Sequence, residues 1–300
     1  MSSDTPSTLG SLMAEAVAAL TDAGIENARM DARILLARAA GVDGGRISAW
    51  PEDTVPDDKA ETFRGMIARR VGHEPVGRIL GERAFWRHTF KLSPETLEPR
   101  PDSETLVEWA IDFLEDADAP RIVDFGTGTG CLLLSAIGDL PGATGIGLDL
   151  SAGAVACARE NAKLLELDDV VEFRVSDWDS ALDEKDRAEG FDLVMSNPPY
   201  ITADEMTTLS PEVQKFDPRL ALTDEGDGLA AYRVLSRVAF DLAKPGGFVI
   251  FEIGRGQEND VGQMLVEAGF VGVGYREDLG GIVRCVAAKK TRCSVGRCVI

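Results

Sequence analysis

The chain has 300 residues, with 51 acidic against 31 basic side chains and a formal net charge of −20. Its 44% hydrophobic content is enough for a packed core, which excludes global disorder, and its length allows two domains at most. A surface this acidic repels polyphosphate and anionic lipid, so nucleic acid and membranes are disfavoured as partners.

Met1 to Gly10 is polar, with no basic stretch leading into an apolar one. No window approaches the roughly 18 uncharged apolar residues of a membrane span. The expected location is the cytoplasm. Five cysteines, Cys131, Cys157, Cys285, Cys293 and Cys298, lack zinc-site spacing, and the only histidines are His73 and His88. Reduced thiols and no bound metal are expected.

Residues 1–78 read as a helical bundle. An Ala-rich amphipathic run extends to Leu20. A second run, Ala28 to Ala40, places Met30, Ile34, Leu35 and Ala39 on one face. Gly41 and Gly44-Gly45 punctuate, and a third run from Asp57 to Val71 carries Phe63 and Ile67. Residues 79–100 read as a connector with two β-type runs, Arg83 to Trp86 and Thr89 to Leu92, turning at Arg87-His88. Pro99-Arg100-Pro101 is stiff and extended, and Asp102 or Ser103 is expected to cap a helix carrying Leu106, Trp109, Ile111 and Leu114. The domain boundary is expected between Glu74 and Pro101.

Over residues 101–290 strands and helices alternate. Strand-like runs are Arg121–Phe125, Ala143–Asp149, Val170–Ser176, Phe191–Ser196 and Gly247–Ile253. Their βαβα order predicts an α/β fold, a doubly wound parallel sheet covered by helices on both faces. Val271–Arg276 and Ile282–Lys289 flank Asp278-Leu279-Gly280-Gly281, which predicts a closing antiparallel hairpin. Residues 291–300 form a C-terminal tail after the last strand-like run.

Four motifs sit at strand ends. Gly126-Thr127-Gly128-Thr129-Gly130 follows the first strand and opens a helix, so its backbone can approach a ligand at a helix N-terminus. It is G-x-G-x-G, not the dinucleotide G-x-G-x-x-G. Asp149 ends the second strand, where a carboxylate accepts from both hydroxyls of a ribose, while Ser151 suits the helix cap. Asp177 and Trp178 end the third, where an acid and an indole can flank a purine. Asn197-Pro198-Pro199-Tyr200 follows the fourth. The Asn197 side-chain oxygen and the Pro198 carbonyl make a pair of acceptors suited to a planar –NH2 group, and Tyr200 adds an aromatic wall. A nucleoside-bearing cofactor facing an amino or amide nitrogen describes methyl transfer better than hydride transfer.

At these residues the chain resembles class I S-adenosylmethionine-dependent methyltransferases, which have a Rossmann-like sheet, and more narrowly the HemK/PrmC family of protein-(glutamine-N5) methyltransferases. The likeness runs from the N-terminal helices to about Lys290. It includes Glu74-Pro75-Val76, Gly81-Glu82-Arg83-Ala84-Phe85-Trp86, Pro99-Arg100-Pro101-Asp102-Ser103-Glu104 and Asn197-Pro198-Pro199-Tyr200-Ile201. The last motif is shared with DNA adenine and some RNA guanine methyltransferases; the connector motifs are narrower. The family usually carries Thr where Ser103 stands.

The resemblance implies that Gly126 to Gly130, Asp149, Asp177, Trp178 and Asn197 contact S-adenosylmethionine, leaving S-adenosylhomocysteine as product. It implies that Asn197, Pro198, Pro199 and Tyr200 hold the substrate glutamine, with Asn197, Pro198 and Tyr200 in the catalytic role. The substrate would be the Gly-Gly-Gln glutamine of class I peptide chain release factors, docked by the helical bundle. The alternative is a nucleic-acid N-methyltransferase using the same Asn-Pro-Pro-Tyr chemistry, against which the charge of −20 weighs. A monomer is expected, since the layout does not demand a second subunit. Glu252 is expected either to line the crevice or to cap, and the loop with Asp217-Pro218-Arg219 to cover the site.

Overall fold

The computed structural model describes residues 6–292, so Cys293 and Cys298 lie outside the described residues. The chain divides into two compact units, one of residues 1–81 with 211–216, the other of residues 82–210 with 217–300.

The first unit is helical: α1 Leu9–Asp22, α2 Ala28–Ala40, α3 Gly44–Ala49, α4 Asp57–Val71 and α5 Val76–Leu80, with the separate helix Pro211–Phe216. Thr8 and Ser11 form a capping box on α1, and Gly41 ends α2 in the left-handed conformation that glycine adopts without strain. The core gathers Leu12, Leu20, Leu35, Leu36, Phe63 and Ile67. The face read for α2 is corrected here: Met30 and Ile34 are 50% and 39% exposed. The buried stripe runs instead through Ala28, Asp31, Ala32, Leu35 and Leu36. It includes a charged residue because the Arg70 guanidinium neutralises it, Nε to Asp31 Oδ2 at 2.7 Å. Arg70 also meets Glu212 of the separate helix at 2.7 Å. The glycine pair read as punctuation opens α3, where Asp43 caps by accepting from the Gly45 N–H.

The second unit begins with hairpin β1 Glu82–Phe85 and β2 His88–Lys91. Its turn is Trp86-Arg87, one residue earlier than expected, with Trp86 at φ 54°. A 3-10 turn, Pro101–Ser103, leads into α6 Glu104–Leu114. Then come β3 Arg121–Phe125, α7 Cys131–Asp139, β4 Thr144–Asp149, α8 Ala152–Leu164, β5 Val171–Val175, α9 Glu184–Glu189 and β6 Phe191–Ser196. The helix Pro211–Phe216 is α10, followed by α11 Ala230–Leu242, β7 Ala243–Glu252, α12 Glu258–Ala268, β8 Val271–Glu277 and β9 Val283–Lys289.

The seven strands order β5-β4-β3-β6-β7-β9-β8, parallel from β5 to β7 and antiparallel across β9 and β8. The expected doubly wound sheet with a terminal hairpin is present. Side chains alternate between the faces as pleating requires. Ile122, Leu193, Met195, Ile250 and Ala287 enter the core under α6, α7 and the hairpin. Val123, Phe125, Val194, Val249 and Phe251 enter the core under α11 and α12. Each of these side chains larger than alanine contributes about 1.5–3 kcal/mol. Strand order reverses between β3 and β6, so the connections leaving their carboxyl ends diverge and open a crevice.

Candidate active site

A cavity of about 420 Å³ occupies that crevice, within the second unit. The β3–α7 loop forms its floor. Gly126, Gly128 and Gly130 have φ of 69°, 55° and 79°, so the loop needs glycine at each. The Gly126 and Thr127 N–H groups donate to the Leu148 carbonyl at 2.8 and 3.0 Å, which pins the loop to β4. The Gly128 N–H donates to Asp149 Oδ2 at 2.9 Å, and the Ser151 N–H to Asp149 Oδ1 at 2.9 Å. Asp149 is therefore not the freely solvated side chain of the capping alternative. Ser151 is the cap of α8, accepting from the Ala154 N–H at 3.1 Å. Burial pushes the Asp149 carboxyl above its usual range, opposed by the two backbone N–H groups. Asp149 lines the cavity, and each oxygen, with one N–H bound, keeps capacity to accept from ligand hydroxyls.

Beneath the loop lies Asp124, which burial pushes up to about 7 against the pull of the Thr127 hydroxyl, which donates to it at 2.7 Å. At the β5 end, Trp178 lines the cavity at φ 47°, a left-handed conformation that costs on the order of 1 kcal/mol or more for a bulky residue. The Ser176 hydroxyl holds this turn by donating to the Trp178 carbonyl and accepting from the Ala181 N–H. At the β6 end the Ser196 hydroxyl donates to the Phe125 carbonyl at 2.7 Å, binding the two diverging strands together. Asn197 follows, its Nδ2 donating to the Ser103 hydroxyl at 3.3 Å.

Two family models match: "PrmC N-terminal domain" over residues 11–81 and "Methyltransferase domain" over residues 116–268. A release factor glutamine methyltransferase of Rhodospirillum rubrum is 42% identical, the match covering 94% of this chain and 85% of that one. The protein of the same name from Cereibacter sphaeroides is 42% identical over 91% of this chain and 95% of that one. The chain belongs to the release factor glutamine methyltransferase family. Among solved structures, the hMettl16 catalytic domain in complex with MAT2A 3'UTR hairpin 6 shares the fold, with a TM-score of 0.55 at 16% identity over 69% of this chain and 77% of that one.

Of the residues the sequence singled out in this glutamine methyltransferase family member, Gly126, Thr127, Gly128, Thr129, Asp149, Asp177, Trp178, Asn197 and Pro199 line the cavity. Gly130, Pro198 and Tyr200 do not. Gly130 packs inward, where a Cβ would stand 3.1 Å from both Leu134 and Phe173. Pro198 is buried. Tyr200 turns toward β7, its hydroxyl donating to Glu252 Oε1 at 3.3 Å, and burial pushes its phenol well above the usual range. Its main chain is held by Gln257, whose Nε2 donates to the Tyr200 carbonyl at 3.1 Å.

The cap expected of Asp102 or Ser103 does not form: Ser103 makes no side-chain capping bond to α6. Each polar residue of Arg100-Pro101-Asp102-Ser103-Glu104 instead reaches a different element. Arg100 pairs with Asp217, Asp102 with Arg284 at 3.1 Å, Ser103 with Asn197, and Glu104 accepts from the Trp86 N–H at 2.8 Å. Arg100 and Ser103 line the cavity, as do Pro218 and Leu220 from the loop after Tyr200. Glu95, missed in the sequence, lines it too and accepts from the Ser151 hydroxyl. Its only local signal was a proline neighbour.

Proposed function

We propose that the chain transfers a methyl group from S-adenosylmethionine to the side-chain amide nitrogen of the glutamine in the Gly-Gly-Gln motif of class I peptide chain release factors, acting in the cytoplasm as a monomer. The observation that carries this reading is the placement of Asn197. It lines a nucleoside-sized cavity with Nδ2 committed to Ser103, which leaves Oδ1 as an acceptor. The family membership, shared with proteins named release factor glutamine methyltransferase, supports the same acceptor.

The cavity residues fit the cofactor. Asp149 would take the ribose hydroxyls, Trp178 and Asp177 would flank the adenine, and the loop from Gly126 to Thr129 would run beside the amino-acid portion. When bound, the cofactor supplies an electrophilic methyl group on a positively charged sulfur. A glutamine amide is a poor nucleophile because its nitrogen lone pair is delocalised into the carbonyl. Asn197 Oδ1 and the Pro198 carbonyl would accept both amide N–H groups, raise electron density on nitrogen and stabilise the positive charge that develops there. Fixing the amide in the near-attack range of about 3–3.5 Å contributes the orientation. Tyr200, braced on Glu252, would hold the Pro198-Pro199 backbone in place rather than stack on the amide.

The test is incubation of the full chain with labelled S-adenosylmethionine and either a class I release factor or DNA and RNA. Label on the Gly-Gly-Gln glutamine is expected. Label on nucleic acid instead, or on neither, defeats the proposal.

A further inference from the structure

Gln257 stands at the N-cap position of α12, yet its side chain makes no capping bond to that helix. It joins three backbone groups outside the helix instead. Its Oε1 accepts from the Gly254 N–H at 2.9 Å, and its Nε2 donates to the Tyr200 carbonyl at 3.1 Å and to the Gly228 carbonyl at 3.3 Å. Gly228 and Gly254 are buried, and a Cβ on either would stand 3.0 Å from the Gln257 amide. The amide has one orientation. An N–H only donates and a carbonyl only accepts, so reversal would set Nε2 against the Gly254 N–H and Oε1 against two carbonyl oxygens.

The Tyr200 carbonyl is a sensitive point to hold. Pro198 and Pro199 have no N–H to anchor and a fixed φ, so few soft torsions separate Tyr200 from Asn197. The Ser196 hydroxyl fastens the start of the segment to the Phe125 carbonyl, and beyond its end the Ile201 N–H donates to the Leu222 carbonyl at 2.9 Å. Gln257 supplies the donor between these anchors.

We propose that Gln257 is a positioning residue of the transfer site: its side-chain amide clamps the Tyr200 carbonyl to the turns at Gly228 and Gly254, and so sets where Asn197 Oδ1 and the Pro198 carbonyl meet the substrate amide. The clamp bears on the acceptor pair alone. Asp149 and Trp178, which would hold the cofactor, stand at the ends of other strands, β4 and β5. Loss of the clamp therefore falls on turnover and spares cofactor binding.

The inference rests on the glutamine-transfer reading, and the wild-type assay separates the two. Gln257→Met keeps the length of the side chain without its polar groups. Gln257→Glu keeps an acceptor for Gly254 but turns a second oxygen on the two carbonyls. Both are compared with wild type in the full chain for kcat and KM on a release factor, and for S-adenosylmethionine affinity by calorimetry. Each is expected to lower kcat about 10-fold or more while changing cofactor affinity less than about twofold. Added to Asn197→Ala, Gln257→Met should cost only about threefold or less, because half of the acceptor pair it positions is already gone. Three results overturn the proposal: a kcat within about twofold of wild type, an equal loss of cofactor affinity, or losses that multiply in full in the double variant. If one Gln257 variant does not fold, the other decides by the same readings. If the wild type leaves release factor unlabelled, the glutamine reading fails, and the Asn197 side-chain amide signals in nitrogen-15 spectra decide the clamp. They move in the folded Gln257 variant if it holds and coincide with wild type if it does not.

Discussion

Two buried carboxyls, Asp124 and Glu252, sit on either side of the Asn197 strand end, and burial pushes each up to about 7. Because the folded chain holds the Asp124 proton more tightly than the unfolded chain does, this group's contribution to stability falls as pH rises from about 4 to about 7. Asp124→Asn removes the buried charge but keeps an oxygen for Thr127. Its melting temperature minus that of the wild type, followed by calorimetry in the absence of ligand, should become more positive between about pH 5 and about pH 8. An unchanged difference would show that Asp124 is not the titrating group. Asn197→Ala should leave cofactor affinity largely intact and lower kcat about 100-fold, the usual scale for one polar stabiliser, as read by steady-state methylation. The placement of Asn197 and Asp149 at the cavity was legible in the sequence because each is a polar residue at a strand end. Ser103, Glu95 and Glu252 were misread or left open because their partners come from distant strands. Ser103 next to a helix start looks like a cap until Asn197 claims its hydroxyl.

At the scale of elements, β3 and β6 coincide with the runs read from the sequence, because a central parallel strand is short and mostly apolar, interrupted here only by Asp124 and Asp192 between its ends. The face of α2 was misread because its buried stripe carries Asp31, a residue that enters a core only with the Arg70 partner that α4 supplies. The hairpin turn moved by one residue because Trp86 occupies the left-handed region while its N–H and indole N–H are taken by Glu104 and Asp139. The loop after Tyr200 is stitched from one acid: Asp224 accepts from the N–H groups of Gly226, Gly228 and Ala230. Gly228 has φ 73°, and a Cβ there would stand 2.2 Å from the Tyr200 carbonyl oxygen. Gly228→Ala should therefore push on the Asn-Pro-Pro-Tyr backbone. We expect a loss of about 1–3 kcal/mol in urea unfolding together with a fall in kcat; full activity would mean that the segment yields freely.

For the whole molecule, the charge of −20 excludes little by itself, but it does discriminate between two acceptors that the Asn-Pro-Pro-Tyr motif serves equally. If acidic residues of the helical unit meet the release factor, affinity measured by titration should weaken as salt is raised from about 50 mM to about 300 mM; a flat response would place docking on apolar contacts. Within the helical unit, Arg70 serves Asp31 and Glu212 with a side chain only 8% exposed. Arg70→Met should cost about 3 kcal/mol in chemical unfolding, since it strands a buried carboxylate. The position of Glu212 has a consequence for dissection. Residues 211–216 belong to the helical unit but are encoded inside the catalytic sequence, so no single cut yields two complete modules. A fragment ending at Gly81 lacks one acid of the Arg70 triad, while its complement carries that acid as an orphan. Expressed together, the two pieces should find each other as a split protein does, whereas a chimera that exchanges only the first 81 residues inherits a mismatched plug.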